Sequence, residues 1–173
     1  MITIVPTKEL PEKPWACTGK TPDRKQNKVY SLKLSGIDGE LNAHNKALFA
    51  NYQKIQDNET MSETFMCDDA DVVLTAYGTA ARVCKKAIKL LREQGIKAGL
   101  FRPITLWPFP QKELEAACKN AKKILTVEMS MGQMVQDVKL YSGHKVSDVE
   151  FYGEPGGIIP SVDTIIEKVK QYV

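Results

Sequence analysis

DVVLTAYGTAARVCKKAIKLLREQG, residues 71–95, carries the pattern that decides the fold. Val72, Val73, Leu74, Thr75 and Ala76 form a short, nearly unbroken apolar run that stops at Gly78. A run of this length without alternation suits a strand covered on both faces, as in a parallel sheet. Thr79 stands where it can cap a following helix. Beyond it, Ala80, Val83, Cys84, Ala87, Ile88 and Leu91 share one helical face, while Arg82, Lys85, Lys86, Lys89 and Arg92 occupy the other. Gly95 ends the helix.

The same unit recurs downstream. KAGLFRP, residues 97–103, reads as a second strand closed by Pro103. After ITLWPFP, Pro110 opens a helix that turns Leu114, Ala117, Cys118 and Ala121 inward. KILTVE, residues 123–128, is a third strand, and Met134 or Val135, Val138 and Tyr141 stripe the helix after it. DVEFYG, residues 148–153, is a fourth strand. The glycine-rich GEPGG then leads to a last helix with Val162, Ile165, Ile166 and Val169 on one side. Alternation with short loops predicts a parallel sheet with helices on both faces, joined right-handedly. SETFM, residues 62–66, adds a short edge strand. The expected fold is therefore α/β: three layers, α/β/α, around a mostly parallel five-stranded sheet.

The first 40 residues differ in kind. Four of the nine prolines fall here (Pro6, Pro11, Pro14 and Pro22), among many charges. Proline fixes φ and removes a donor, so this stretch reads as a linker or an arm. Trp15 within it needs a surface to cover it. KVYSLKLSG, residues 28–36, reads as a brief edge strand. Residues 42–58 form a helix striped by Leu48, Tyr52 and Ile55, either packed on its own domain or bracketing two domains. Residues 1–60 are thus expected as an arm with a helix, and 61–173 as the α/β domain.

With 173 residues, the chain is long enough to build a core without staples. Its net charge of +3 is too mild to argue for a nucleic-acid partner. Cys17, Cys67, Cys84 and Cys118 contain no C-x-x-C pair, and His44 and His144 are the only histidines. Zinc or iron–sulfur ligation within the chain is not expected, and the cysteines read as reduced, which points to the cytoplasm. No apolar run approaches the length that spans a membrane.

In open α/β sheets the functional loops gather beyond the carboxyl ends of the strands. That edge carries Gly78 and Thr79, Arg102, the stretch Glu128-Met129-Ser130-Met131-Gly132-Gln133, and Gly156-Gly157. Arg102 and Glu128 end what read as neighbouring strands, so an ion pair that orients two loops is expected. YGTAAR is neither a G-x-G-x-x-G nor a Walker loop, so Gly78 marks a tight turn more readily than a phosphate cradle. Met129 and Met131, outside the helical stripe, offer adaptable contact with another domain or subunit. Ser130 can cap the next helix, and Gly132 lets the chain turn. A free-standing module binding a nucleotide or CoA at Gly78 and Gly156-Gly157 is an alternative of another class, as is a purely structural subunit.

AYGTAAR, GLFRPITLWPFP, VEMSMGQMVQDV and FYGEPGG, in this order and spacing, resemble the 2-oxoacid:ferredoxin oxidoreductases, in the alpha-type subunit that bears the thiamine-pyrimidine domain. The likeness is closest to the 3-methyl-2-oxobutanoate (2-ketoisovalerate) type, with 2-oxoglutarate or pyruvate as alternative substrates. KPWACTGK, residues 13–20, resembles the stretch joining that subunit's two domains. The resemblance implies a transketolase carboxyl-terminal-domain fold, with a short antiparallel first strand that SETFM would supply. It also implies a reaction: oxidative decarboxylation of a 2-oxoacid to an acyl-CoA, with electrons passing to ferredoxin. Thiamine diphosphate, Mg2+, CoA and iron–sulfur clusters would serve the whole enzyme, with none bound by this chain alone. The implied partners are the thiamine-diphosphate-binding, gamma-type and ferredoxin-like subunits and ferredoxin, with a homodimer left open. The chain then corresponds to the carboxyl-terminal part of such a subunit, inactive by itself. The residues at the carboxyl edge would serve assembly and site shaping, and none is expected to be catalytic.

Overall fold

The computed structural model describes Glu9, Glu12 and residues 39–173. Trp15, Cys17 and the KVYSLKLSG stretch lie outside the described residues. The elements in chain order are α1 (Glu40–Glu59), β1 (Ser62–Phe65), β2 (Val72–Thr75), α2 (Gly78–Glu93), β3 (Ala98–Pro103), α3 (Gln111–Cys118), β4 (Lys123–Glu128), α4 (Met134–Tyr141), β5 (Val149–Gly153) and α5 (Val162–Lys170). A 3-10 turn at Val146–Asp148 precedes β5. The chain forms two units, residues 1–46 and 47–173. Composition places a break at 60/61, whereas this one falls inside α1. In the second half of that helix the Tyr52 ring meets the Trp107 ring edge-on at 5.5 Å, within the second unit. In the first unit the Gly39 carbonyl accepts the Ala43 amide at 2.9 Å and closes the opening turn of α1.

The sheet of the second unit runs β1-β3-β2-β4-β5. β2, β3, β4 and β5 are mutually parallel, and β1 pairs antiparallel with β3 at one edge. The expected five-stranded, mostly parallel sheet is what forms. All four residues of β2 are fully buried because helices cover both faces. Val72 and Leu74 pack with Cys84, Ile88 and Leu91 of α2 and with Ile165 and Val169 of α5. Val73 turns the other way, toward Leu114 and Cys118 of α3 and Met134, Val135 and Val138 of α4. Each fully buried aliphatic side chain contributes roughly 1.5–3 kcal/mol. At the centre of the sheet Thr75 donates its hydroxyl to that of Thr126 at 2.8 Å, which satisfies two buried polar groups.

The helix starts differ from the expectation. α2 begins at Gly78, and Tyr77 precedes it in extended conformation with no side-chain cap. Thr79 therefore does not cap α2: it lies one residue inside the helix, with its side chain exposed. α3 begins at Gln111, with Pro110 just before its first turn. Among the described residues α5 does have a side-chain cap, Ser161 Oγ accepting from the Thr164 amide at 3.0 Å. The stretch 104–107 leaves Ile104, Leu106 and Trp107 exposed, and the Trp107–Pro108 peptide is cis.

The three described cysteines are all buried and free. Burial pushes the Cys84 and Cys118 thiols up to about 12, and it raises Cys67 as well. At neutral pH these are small apolar side chains, not nucleophiles. Cys84 lies in the α2 core, and Cys67 and Cys118 lie in the core on the opposite face.

Candidate functional site

Glu128 is the last residue of β4, and its side chain is fully buried. No cation within salt-bridge distance accompanies it among the described residues. Four donors converge on the carboxylate instead. Oε1 accepts from the Val135 amide at 3.0 Å. Oε2 accepts from the amides of Gln133 at 3.2 Å and Met134 at 3.1 Å, and from the Ser130 hydroxyl at 3.0 Å. Three of these are backbone N–H groups at the start of α4, which would otherwise be orphaned in a buried setting. The carboxylate also faces the positive end of the α4 dipole. Glu128 is thus a helix cap delivered from a strand end.

Ser130 does not cap α4. Its Oγ donates to Glu128 and accepts the Gly132 amide at 3.2 Å, a turn inside the loop. Gly132, with φ near +100°, turns the chain so that the next three amides face back toward β4. The loop is then pinned on its other side. The Glu154 amide donates to the Glu128 carbonyl at 3.0 Å. A Cβ at Gly153 would collide with the Ser130 carbonyl oxygen, so the β5 end admits only glycine there. Met129 is half-buried, and Met131 is 79 % exposed at the tip. Ile158 and Ile159, just past Gly156 and Gly157, are exposed as well. Asp137 on α4 has its carboxyl raised above the ordinary value, by desolvation first and by the charge of Glu128 second.

The expected Arg102–Glu128 pair does not form. β2 lies between β3 and β4, so the two residues do not end neighbouring strands. Arg102 registers opposite Glu63 of β1 and bonds its carboxylate at 2.9 Å. Lys85 of α2 bonds the other oxygen of the same carboxylate. The buried Nε–H of Arg102 meets no acceptor among the described residues. Sequence reasoning missed Glu63 and Lys85. The signal was SETFM as an antiparallel edge strand, but its register against GLFRP cannot be read locally. Two separate clusters result: Glu128, Ser130, Gly132 and Gln133 with Gly153 at β4/β5, and Glu63, Lys85 and Arg102 at β1/β3. Gly78, with Thr79, sits beyond β2 with open space at its Cβ position, as do Gly156 and Gly157 beyond β5.

The Lys85 ammonium, and after it the Arg102 guanidinium, hold the Glu63 carboxyl below its usual value near 4.5. A depressed carboxylate contributes stability above the unfolded-state value and loses it as pH falls through the lower folded value. Wild type should therefore exceed Glu63→Gln in urea unfolding at neutral pH. The gap should be under about 1 kcal/mol, because the pair is solvent-screened. It should close below pH of about 4.5 as Glu63 protonates. A gap that widens in acid would contradict this sign.

The motifs along this edge match a known family. Residues 70–165, more than half of the chain, match the family described as pyruvate:ferredoxin oxidoreductase core domain II. The chain belongs to this family. It is 38% identical over 161 residues to the ketoisovalerate oxidoreductase subunit VorB of Methanothermobacter marburgensis, covering 93% of this chain and 44% of that protein. It is 38% identical over 103 residues to the 2-oxoglutarate synthase subunit KorA of the same organism, covering 59% of this chain and 27% of that one. The chain thus spans less than half the length of these relatives. Among solved structures, a 2-oxoglutarate:ferredoxin oxidoreductase from Magnetococcus marinus superposes with a TM-score of 0.67 at 22% identity, covering 76% of this chain and 23% of that one. A split-gene transketolase superposes with a TM-score of 0.52 at 14% identity, covering 65% of this chain and 41% of that one. These two agree with the transketolase-like α/β fold. No helix among the described residues is long and apolar enough to cross a membrane.

Proposed function

We propose that this chain serves as the carboxyl-terminal domain of a cytoplasmic 2-oxoacid:ferredoxin oxidoreductase subunit, acting in assembly and site shaping. Its first-choice substrate class is the branched-chain 2-oxoacid 3-methyl-2-oxobutanoate. The observation that carries the reading is the braced loop after β4. A buried carboxylate, three helix amides and a glycine contact with β5 hold Met129 to Gln133 rigidly, yet Met131 projects 79 % exposed. A rigid base with a soft apolar tip suits contact with another protein surface. Identity to VorB over nearly the whole chain supports the branched-chain substrate over 2-oxoglutarate or pyruvate. KorA and PorA match over shorter stretches.

In the assembled enzyme, bound thiamine diphosphate with Mg2+ supplies the decarboxylation chemistry, and CoA and iron–sulfur clusters serve acyl and electron transfer. Among the described residues the donor set does not suit a cluster: Cys67, Cys84 and Cys118 are buried on two opposite faces of the sheet. No step through such a group is assigned to this chain. Its own residues position loops: Glu128 with Ser130, Gly132 and Gln133 fixes the β4 loop, and Arg102 with Glu63 fixes the β3 end. Gly78, Gly156 and Gly157, all at positive φ, let the backbone turn at the edge that partner subunits would approach, with Thr79 exposed beside Gly78. The partners on this reading are the thiamine-diphosphate-binding, gamma-type and ferredoxin-like subunits.

The test is an activity assay on the complex that a tagged copy captures from its own cells. Thiamine diphosphate, magnesium and CoA are supplied, and viologen reduction is followed with 3-methyl-2-oxobutanoate, 2-oxoglutarate and pyruvate in turn. Reduction fastest with the branched-chain acid is expected. Faster reduction with another acid overturns the substrate class. Capture of no other subunit overturns the assembly reading, and micromolar CoA or nucleotide binding by the chain alone would replace it.

A further inference from the structure

α2 carries five cations, and two of them have partners. Lys85 bonds Glu63 of β1, and Arg92 bonds Asp69 and the Met66 carbonyl. Arg82, Lys86 and Lys89 are exposed, and no carboxylate among the described residues lies within salt-bridge distance of them. At positions i, i+4 and i+7 they share one stripe about 10 Å long. Glu93 closes the stripe at its far end.

This arrangement does not serve the helix. Like charges one turn apart repel, and a helix is favoured by acids near its start and bases near its end. α3, α4 and α5 each place an acid in the first turn: Glu113, Asp137 and Asp163. α2 has none there, meets Arg82 soon after, and keeps its single acid, Glu93, for its last residue. A local rule broken with no gain inside the fold is what a surface used for binding looks like.

The make-up of the face narrows the partner. The exposed residues of α2 are Gly78, Thr79, Arg82, Lys86, Lys89 and Glu93, none of them aromatic or aliphatic. An anionic membrane surface would need apolar side chains to insert. A nucleic-acid strand would need stacking aromatics or a longer run of cations. A row of carboxylates on another polypeptide, repeating once per helical turn, meets the three cations without either.

We propose that the outer face of α2 docks a partner protein through such a carboxylate row, with Arg82, Lys86 and Lys89 as its contacts. Charge pairs of this kind steer encounter and fix register more than they add affinity. The inference goes beyond the oxidoreductase reading and does not depend on it, since it rests on the charges of α2 alone.

The probe is a labelled helical peptide with glutamates at the same spacing, titrated with the purified full chain and followed by fluorescence anisotropy. Binding is expected at about 20 mM salt and should weaken roughly tenfold by about 150 mM, because exposed pairs are screened. Lys86→Glu reverses the middle of the stripe and should weaken binding roughly tenfold at the lower salt. The same change turns two like-charge pairs on α2 into two opposite-charge pairs, so the melting temperature should rise by about 2 °C. Lys112→Glu, at an exposed lysine of α3, should leave binding unchanged. No binding at the lower salt overturns the proposal, as does binding indifferent to Lys86→Glu. A melting temperature that falls with Lys86→Glu overturns it too, since the charge then serves the fold. Equal or tighter binding of a single-stranded oligonucleotide of the same net charge overturns the partner class.

Discussion

Glu128→Ala should cost the fold on the order of 3 kcal/mol, because it strands buried donors that are organised around the carboxylate. The substitution leaves three helix amides and the Ser130 hydroxyl facing a cavity, with no side chain left to accept from them. Each stranded donor carries a desolvation penalty of about 1–3 kcal/mol, moderated where the loop relaxes enough to admit water. For a chain of this size the melting temperature should fall by roughly 10 °C or more. Hydrogen exchange distinguishes this mechanism from general loosening. The amides of Gln133, Met134 and Val135 should lose protection ahead of those in β2. Glu128→Gln keeps the volume but turns an NH2 toward amides, so it should fall between wild type and alanine. Wild-type protection of those three amides in Glu128→Ala would remove the capping role. In the assembled enzyme the same change should weaken assembly or turnover, since Met131 is presented from this loop.

Gly153→Ala should destabilise by about 2–3 kcal/mol, an overpacking cost. The new methyl would fall inside contact distance of the Ser130 carbonyl oxygen. That neighbour is backbone, held in place by the Glu128 network, so it cannot rotate away as a side chain would. Gly156→Ala is the informative comparison. Gly156 has φ near +74° but open space around a Cβ, so only backbone strain of about 1–2 kcal/mol applies. Urea denaturation of the two variants side by side should rank Gly153→Ala as the more damaging. Gly153 has no left-handed φ to strain, so equal losses would mean that the β4 loop gives way around the new methyl and that its close approach is not what demands glycine.

The sheet was legible because burial on both faces writes itself into composition. VVLT, GLF and ILTV could not lie at a surface, and Gly95 and Pro103 bound them. The helices were legible at their centres, where Cys84, Ala87, Ile88 and Leu91 repeat at helical spacing. Their starts were less so. Thr79 and Ser130 are good capping residues by type, yet neither caps. The chain enters α2 through Tyr77 and Gly78, and α4 is capped by a residue five or more positions earlier. Lateral strand order was not legible either, since a parallel sheet does not record which strand lies beside which. Arg102 and Glu128 looked like neighbours because their strands are consecutive among the long ones, and β2 lies between them.

Amino-acid sequence alone determined the fold class, the five strands, the edge position of SETFM and the family likeness, and the antiparallel direction of SETFM was implied only by that likeness. These follow from period, length and motif, which are local. Tertiary structure alone decided which charges meet. Glu63 reaches Arg102 and Lys85 only through the register of β1 on β3, and Glu128 finds its donors only once Gly132 folds the chain back. It also decided that the Leu48, Phe49 and Tyr52 side of α1 faces outward beside Trp107. Periodicity tells that a helix has an apolar side but not what covers it, because that depends on surfaces far away in the chain.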